Sequence, residues 1–346
     1  MSPSPTHRPL GRSGLKVSPL WLGTMMFGDQ TDEAEAARIV GSAREAGINA
    51  IDTADAYSSG ESERMVGRLI ATDRARWVLA SKVANPMSAN PNDRGLSRRW
   101  LRRAVEDSLR RLATDWIDVY YLHRDDEVTP MQETLSTLQG LIDAGKIHYY
   151  GVSNFRAWRI AKMVGLAREM GIAPPIVCQP PYNAMTRGIE LELLPCCAQL
   201  GVGVVGYSPL ARGVLTGKYR EGAAPEAGSR AARADKRLLQ TEFRPESLAL
   251  AQQMAARAAA KGVSPSQFAT AWVLANRNVT GVIGGPRTLA QWTDYLGAVA
   301  ITIDAADEAF VDALVAPGHA STHGYTDPVY PVVGRATRSA PAPGAD

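Results

Sequence analysis

Four side chains in the N-terminal half of this chain are of types that together move a proton. Asp52 and Tyr57 belong to one stretch, Ala50-Ile51-Asp52-Thr53-Ala54-Asp55-Ala56-Tyr57. Lys82 ends the run Val78-Leu79-Ala80-Ser81-Lys82, and His123 ends Asp118-Val119-Tyr120-Tyr121-Leu122-His123. A phenol is a poor acid at neutral pH, with a reference pKa of about 10. A cation against it favours the phenolate, and a carboxylate can hold that cation in place. The expectation is that Lys82, fixed by Asp52, lowers the pKa of Tyr57, with His123 acting at the same spot. Singly, each residue has an ordinary use as a loop cap, a pocket wall, an ion-pair partner or a satisfied hydrogen-bonding group. Their convergence is what points to proton delivery.

What must position them is a set of parallel strands. Each of the three runs is apolar until its ionisable residue, where polar loop begins, and the carboxyl ends of strands are where an α/β barrel carries its chemistry. The same rhythm continues along the chain. Strands are expected at residues 20–24, 49–52, 77–83, 117–122, 147–152, 176–179, 202–207 and 279–283. Helical periodicity lies between them, at 34–46, 62–70, 97–112, 131–144, 156–170, 189–200, 245–260, 265–275 and 289–296, with an added helix at 305–314. Residues 10–18 read as a β-hairpin ahead of the first core strand. Eight strands alternating with helices predict a closed (β/α)8 TIM barrel. An open doubly wound sheet is disfavoured, because no Gly-x-Gly-x-x-Gly turn follows the first strand. The whole chain reads as a single domain with its core at about residues 10–316, a loop-like tail beyond, and a frayed end from Arg335 to Asp346. One connection breaks the rhythm. Residues 210–244 are long, irregular and rich in Gly, Ala and Arg, and loops of that length in compact domains are usually functional or disordered.

Composition narrows the classes of function. Hydrophobic residues make up 45% of the 346, and charged residues 21%, enough for a sizeable core. A net charge of +3 with interspersed signs offers no nucleic-acid surface. The polar start lacks the apolar run of a signal peptide, and no apolar window is long enough to cross a bilayer. Cys178, Cys196 and Cys197 read as reduced thiols, and a cytoplasmic location is expected.

Several motifs now line up with one family. Residues 10–18 with Leu22-Gly23-Thr24-Met25, then Asp52 to Tyr57 followed by Gly60-Glu61-Ser62-Glu63, then Gly151-Val152-Ser153-Asn154-Phe155 and Tyr207-Ser208-Pro209-Leu210 resemble the aldo-keto reductases, in the expected order over nearly the whole chain. The resemblance implies a (β/α)8 barrel, NADPH or NADP+ as an extended nicotinamide cofactor, and reduction of a small-molecule carbonyl substrate. It assigns Tyr57 as general acid, Lys82 and Asp52 as the groups that tune it, and His123 as the group that orients the carbonyl oxygen.

The resemblance also implies the cofactor contacts. Gly23, Thr24, Met25 and Asp52 would be among the cofactor contacts; Ser153, Asn154 and Gln179 would hold the nicotinamide carboxamide, and Tyr207 would stack on its ring. Ser208, Pro209, Leu210 and Gly213 would wrap the pyrophosphate, with Lys218 adding charge, so that residues 210–244 become a lid. Gly285, Arg287, Gln291 and Asp294 would meet the adenosine end, Arg287 at the 2′-phosphate. Two departures stand out: Gly284-Gly285-Pro286-Arg287 replaces the usual Gly-Ala-Arg pattern, and Tyr295 takes the place of an asparagine. Met25, Phe27, Met87 and Phe155 are expected to wall the substrate pocket, with Tyr325 or Tyr330 reaching it if the tail folds back. Competing functions are a cofactor-binding regulatory subunit similar to the potassium-channel β subunits, which His123 opposes, and a Schiff-base lyase using Lys82, which Asp52 opposes by keeping the amine protonated.

Overall fold

The computed structural model describes residues 6–332. A short antiparallel pair, β1 (Arg8–Pro9) and β2 (Lys16–Val17), opens it, with Arg8 opposite Val17. This hairpin covers one end of the barrel. Gly11 adopts a left-handed φ of +59°, and a Cβ there would lie 2.3 Å from the Ile176 carbonyl oxygen. Only glycine lets the turn come this close.

Eight parallel strands follow and close on themselves. They are β3 (Leu20–Gly23), β4 (Ala50–Asp52), β5 (Val78–Val83), β6 (Ile117–Leu122), β7 (Ile147–Ser153), β8 (Val177–Gln179), β9 (Gly203–Gly206) and β10 (Gly281–Gly284). The seam is β10 against β3, with Val282 opposite Leu20. Helices form the outer layer: α1 (Glu33–Glu45), α2 (Glu61–Ile70), α3 (Arg98–Leu112), α4 (Met131–Asp143), α5 (Ala157–Glu169) and α6 (Leu193–Leu200), then α7 (Lys236–Thr241), α8 (Pro245–Ala260), α9 (Pro265–Ala275), α10 (Leu289–Gly297) and α11 (Ala305–Leu314). Local chemistry sets their starts. Asp32 caps α1 by accepting from Glu35 N, while Ser264 and Gln267 form a capping box at α9.

The two-residue period of a strand decides what faces the barrel axis. Trp21, Ala50, Val78, Ala80, Val119, Tyr121, Val177, Val205 and Ile283 form the inner cluster. Leu20, Leu79, Tyr120, Leu122 and Cys178 join the larger cluster shared with the helices. Asp52 stands two residues beyond Ala50, Lys82 two beyond Ala80, and Gln179 two beyond Val177. Alternation alone therefore turns these three polar side chains inward, at the carboxyl end of the barrel.

The expected elements are present, several with ends shifted by one residue, and with four larger differences. The first arm of the hairpin lies at Arg8–Pro9, ahead of the expected 10–18. The helix expected at 189–200 is a short turn at Gly188–Glu190 followed by α6, with Pro195 in the first turn, where a missing N–H costs nothing. The last strand begins at Gly281 rather than Val279, whose N–H is drawn into a turn with Asn276. Residues 210–244 are not irregular throughout. They contain a tight turn at Ala211–Thr216 and the helix α7, capped by Asp235. The expected frayed end lies outside the described residues.

Gly151 tests the tightness of the wall. A Cβ there would meet Val177 Cγ1 at 2.5 Å, the Val177 carbonyl oxygen at 2.7 Å and Tyr121 Cε1 at 2.8 Å. Gly151→Ala is expected to cost about 1–3 kcal/mol in denaturant unfolding. Gly140→Ala, in α4 with open space around the new methyl, should instead gain about 0.5–1 kcal/mol.

Candidate active site

Lys82 has no exposed surface. Its ammonium donates to Asp52 Oδ1, to the Thr53 carbonyl oxygen at 2.8 Å and to Tyr57 Oη at 3.1 Å, using all three N–H bonds. The other Asp52 oxygen accepts from Gln179 Nε2 at 2.9 Å, reaching across from β8. Tyr57 follows β4 on a turn whose next residues, Ser58 and Ser59, are left-handed at φ +48° and +53°. That turn lays the phenol over Lys82, whose Nζ is 4.6 Å from the ring centre.

His123 stands edge-on to Tyr57, with ring centres 6.0 Å apart. Its Nδ1 is 3.0 Å from Asn85 Nδ2. An amide nitrogen only donates, so Nδ1 accepts and the ring proton sits on Nε2. Burial, reinforced by the charges of Lys82 and Arg124, pushes the His123 pKa down to about 3, so the ring is neutral at pH 7. The structure thus sets a phenol O–H and an imidazole N–H side by side.

The acidity of the phenol differs from the expectation. Burial raises the Tyr57 pKa, and the opposing pull of Lys82 does not outweigh it once the negative charges of Asp52 and Asp55 are added. Tyr57 borders the cleft, yet the protein packed round its ring strips water from the oxygen. Lys82 therefore limits the rise rather than producing a net fall. For Lys82 itself, burial opposes the charged form, but Asp52 and Tyr57 more than offset it and the pKa is raised. The ammonium is charged.

From Tyr57 and His123 a cleft of about 400 Å³ runs past the ends of β9 and β10. Gly23, Thr24 and Met25 border it at the tip of β3, and Ser153, Asn154 and Gln179 at the tips of β7 and β8. These groups also hold one another. Ser153 Oγ donates to the Gln179 carbonyl oxygen, Asn154 Nδ2 donates to the His123 carbonyl oxygen, and Tyr207 Oη donates to Asn154 Oδ1 at 2.8 Å. The Thr24 hydroxyl is turned away, onto the Asp52 carbonyl oxygen and Ser62. Ser208, Pro209, Leu210, Gly213 and Lys218 line the middle, where Ser208, Ala211, Arg212 and Gly213 all take left-handed φ.

Across residues 19–316 the chain matches the sequence model of the Aldo/keto reductase family. The chain belongs to the aldo/keto reductase family. Relatives agree with that. An oxidoreductase of Bacillus subtilis (strain 168), YrpG, is 39% identical over 308 residues, covering 85% of this chain and 91% of that protein. A probable voltage-gated potassium channel subunit beta of Arabidopsis thaliana is 37% identical over 300 residues, 85% of this chain and 90% of that one. A putative voltage-gated potassium channel subunit beta of Schizosaccharomyces pombe is 37% identical, with 84% and 87% covered.

In this aldo/keto reductase the far end of the cleft is bordered by Gly285, Arg287, Gln291 and Asp294. Arg287 Nη1 donates to the Gly228 carbonyl oxygen at 3.0 Å, and its backbone N–H to Gln291 Oε1. Asp294 accepts from Ser264 Oγ at 2.6 Å. Tyr295 is buried, with its ring against Gly284. The sequence reading did not single out Met26, Arg212, Thr216, Arg230, Arg237, Ser266 or Ile283, all of which line the cleft. The Arg-rich composition of the long connection was the available signal for the three arginines. Arg230 and Arg237 are paired with Asp235 and Asp327, whereas the bonds of Arg212 and Arg287 go to neutral oxygens. Of the expected walls, Met25 borders the cleft. Phe27 and Phe155 are in the core, Met87 packs against it, and Tyr325 lies under Arg244, 3.8 Å away. Tyr330 does reach the mouth, beside Val329.

His123 should remain neutral at pH 5, visible by nitrogen NMR as an Nε2–H tautomer whose signal is absent in His123→Asn. Its folded pKa lies below the unfolded value of about 6.5. Unfolding therefore takes up a proton as pH falls from there toward 3, and wild type should lose more stability than His123→Asn over that window.

Proposed function

We propose that this protein reduces aldehydes or ketones to alcohols with NADPH, Tyr57 serving as general acid. The observation that carries the reading is Lys82 Nζ, 3.1 Å from the phenol oxygen while bound to Asp52 and the Thr53 carbonyl oxygen. A cation with no other freedom stabilises the phenolate left behind when the proton departs. A raised resting pKa keeps that proton in place until a developing alkoxide takes it. Neutral His123 supplies an Nε2–H for the carbonyl oxygen.

The lining of the cleft fits a nicotinamide dinucleotide. Tyr207 offers a ring face beside amide and hydroxyl groups at the Tyr57 end, and Lys218, Arg212 and Arg287 offer charge for phosphates farther along. Such a cofactor, when bound, supplies hydride to the carbonyl carbon. On this reading Ser153, Asn154 and Gln179 orient its carboxamide, Gly23, Met25 and Asp52 border the ring, and Ser208 to Gly213 wrap the pyrophosphate. Arg287, with Gln291, Gly285 and Asp294 nearby, takes the adenosine end and its 2′-phosphate. Residues 10–316 act as one domain core. Three free thiols support a cytoplasmic place of work.

Two relatives that are potassium channel subunits beta by name raise a second reading, a cofactor-binding regulatory subunit. His123 beside an intact Asp52–Lys82–Tyr57 set favours turnover, and consumption of NADPH with a simple aldehyde decides between them. A lyase reading is weaker still, since all three Lys82 N–H bonds are committed.

Tyr57→Phe is expected to remove carbonyl reduction while NADPH binding, followed by fluorescence titration, stays near wild type. Retention of most of kcat would sink the assignment of the acid. Arg287→Ala should weaken NADPH by about 1.5–3 kcal/mol, one to two decades in Kd, and leave NADH nearly unchanged. Equal losses for both cofactors would clear Arg287 of any part in the choice.

A further inference from the structure

Asp55 lies between Asp52 and Tyr57 in the same stretch, yet nothing assigned so far uses it. It is 1% exposed, and no side chain donates to either carboxyl oxygen; the adjacent Ala56 N–H, poorly aligned, is the only donor that favours its charge. Its backbone N–H donates to the Lys82 carbonyl oxygen at 3.3 Å, which ties it to the residue that grips the phenol. Four elements pack ionisable groups toward it: Glu63 from α2, Arg111 from α3, Lys82 from β5 and Tyr120 from β6. Both cations are already committed. Arg111 Nε donates to Glu63 Oε2 at 2.6 Å, with Ser81 Oγ on the other oxygen, and Lys82 is spent on Asp52. The Tyr120 hydroxyl is buried and also without a partner.

We propose that Asp55 is a positioning residue for the proton donor: a buried carboxyl without a cation of its own, tied through its backbone to Lys82, whose charge state governs how readily Tyr57 gives up its proton. The inference rests on the reductase reading above. Two buried carboxyls, with the cation near them already bonded to Glu63, do not both ionise. Glu63 owns the better partners, so the proton stays on Asp55, whose pKa burial and Glu63 push up to about 8. Leaving such a group unpaired costs free energy that a smaller apolar residue would avoid. Below that pH Asp55 is an uncharged wall. Above it, a second anion faces Lys82 and Tyr57 and opposes release of the phenol proton, as Asp52 does. The proton lost by Asp55 goes to solvent; substrate receives only the one from Tyr57.

The test is the pH profile of kcat/KM for carbonyl reduction by wild type and Asp55→Asn. In the variant the alkaline limb should fall about 0.5–1 pH unit earlier, because the phenol loses the anion that holds its proton. A purely structural role would scale the profile without moving the limb. Superimposable limbs overturn the proposal, whereas absence of turnover in wild type overturns the reductase reading instead. Two measurements need no turnover. A folded pKa raised above the unfolded value means stability is lost as pH rises from about 4 to 8. Denaturant midpoints should therefore move in favour of Asp55→Asn between pH 5 and pH 8. If that variant fails to fold, wild type labelled with carbon-13 in its aspartate carboxyls should still show one titrating near pH 8. Its absence would overturn the proposal.

Discussion

An ammonium sealed from water has to be neutralised where it sits, and in this barrel that ammonium is Lys82. Its position follows from strand alternation, and its charge then dictates what surrounds it. Asp52 must come from the neighbouring strand, Thr53 must turn its carbonyl inward, and Tyr57 must lie within reach of the third N–H. Gln179 extends the arrangement across the barrel, binding the second Asp52 oxygen from β8. Removing either member of the pair strands a charge in the interior, a loss of several kcal/mol in buried pairs generally. The same contacts that make the interior tolerable thus orient the phenol, so stability and chemistry share one set of bonds.

Two of the segments that border the cleft, the long connection and the tail, are joined. Arg237 of α7 grips Asp327 of the tail through two hydrogen bonds, at 3.0 and 2.6 Å. Arg156 holds the Tyr330 and Pro331 carbonyl oxygens, bringing Tyr330 to the mouth. At the opposite end Arg287 is held to the Gly228 carbonyl oxygen, which ties the long connection to the loop after β10. On the reductase reading proposed above, a phosphate at Arg287 would have to compete with that internal bond to a neutral oxygen.

Much of this was legible in the sequence, for identifiable reasons. Apolar runs ending in Asp52, Lys82 and His123 mark strand ends, and period-two alternation fixes which way those side chains face. Burial is a property of the assembled fold, and there the reading went astray. Lys82 next to Tyr57 suggested an acidified phenol, but packing desolvates the oxygen and reverses the net direction. Phe27 and Phe155 looked like pocket walls because aromatics beside a mouth often are, yet both turn into the core. Arg212, Arg230 and Arg237 are drawn to the cleft by the path of the long connection, which no local periodicity encodes. The capped helix α7 hid in that segment because its six residues are too few to show a pattern.

The seam between β3 and β10 has a consequence in time. Leu20 is among the first residues of the barrel to be synthesised, and its partner Val282 is among the last. Until β10 pairs with both neighbours, β3 and β9 are open edges, which are templates for pairing with another chain. The nascent barrel depends on its short final strand to cancel both edges at once. Such a long separation in sequence makes closure a slow event. A ribosome pausing before Gly281 would hold the molecule at its most adhesive stage, nearly complete and still unsealed.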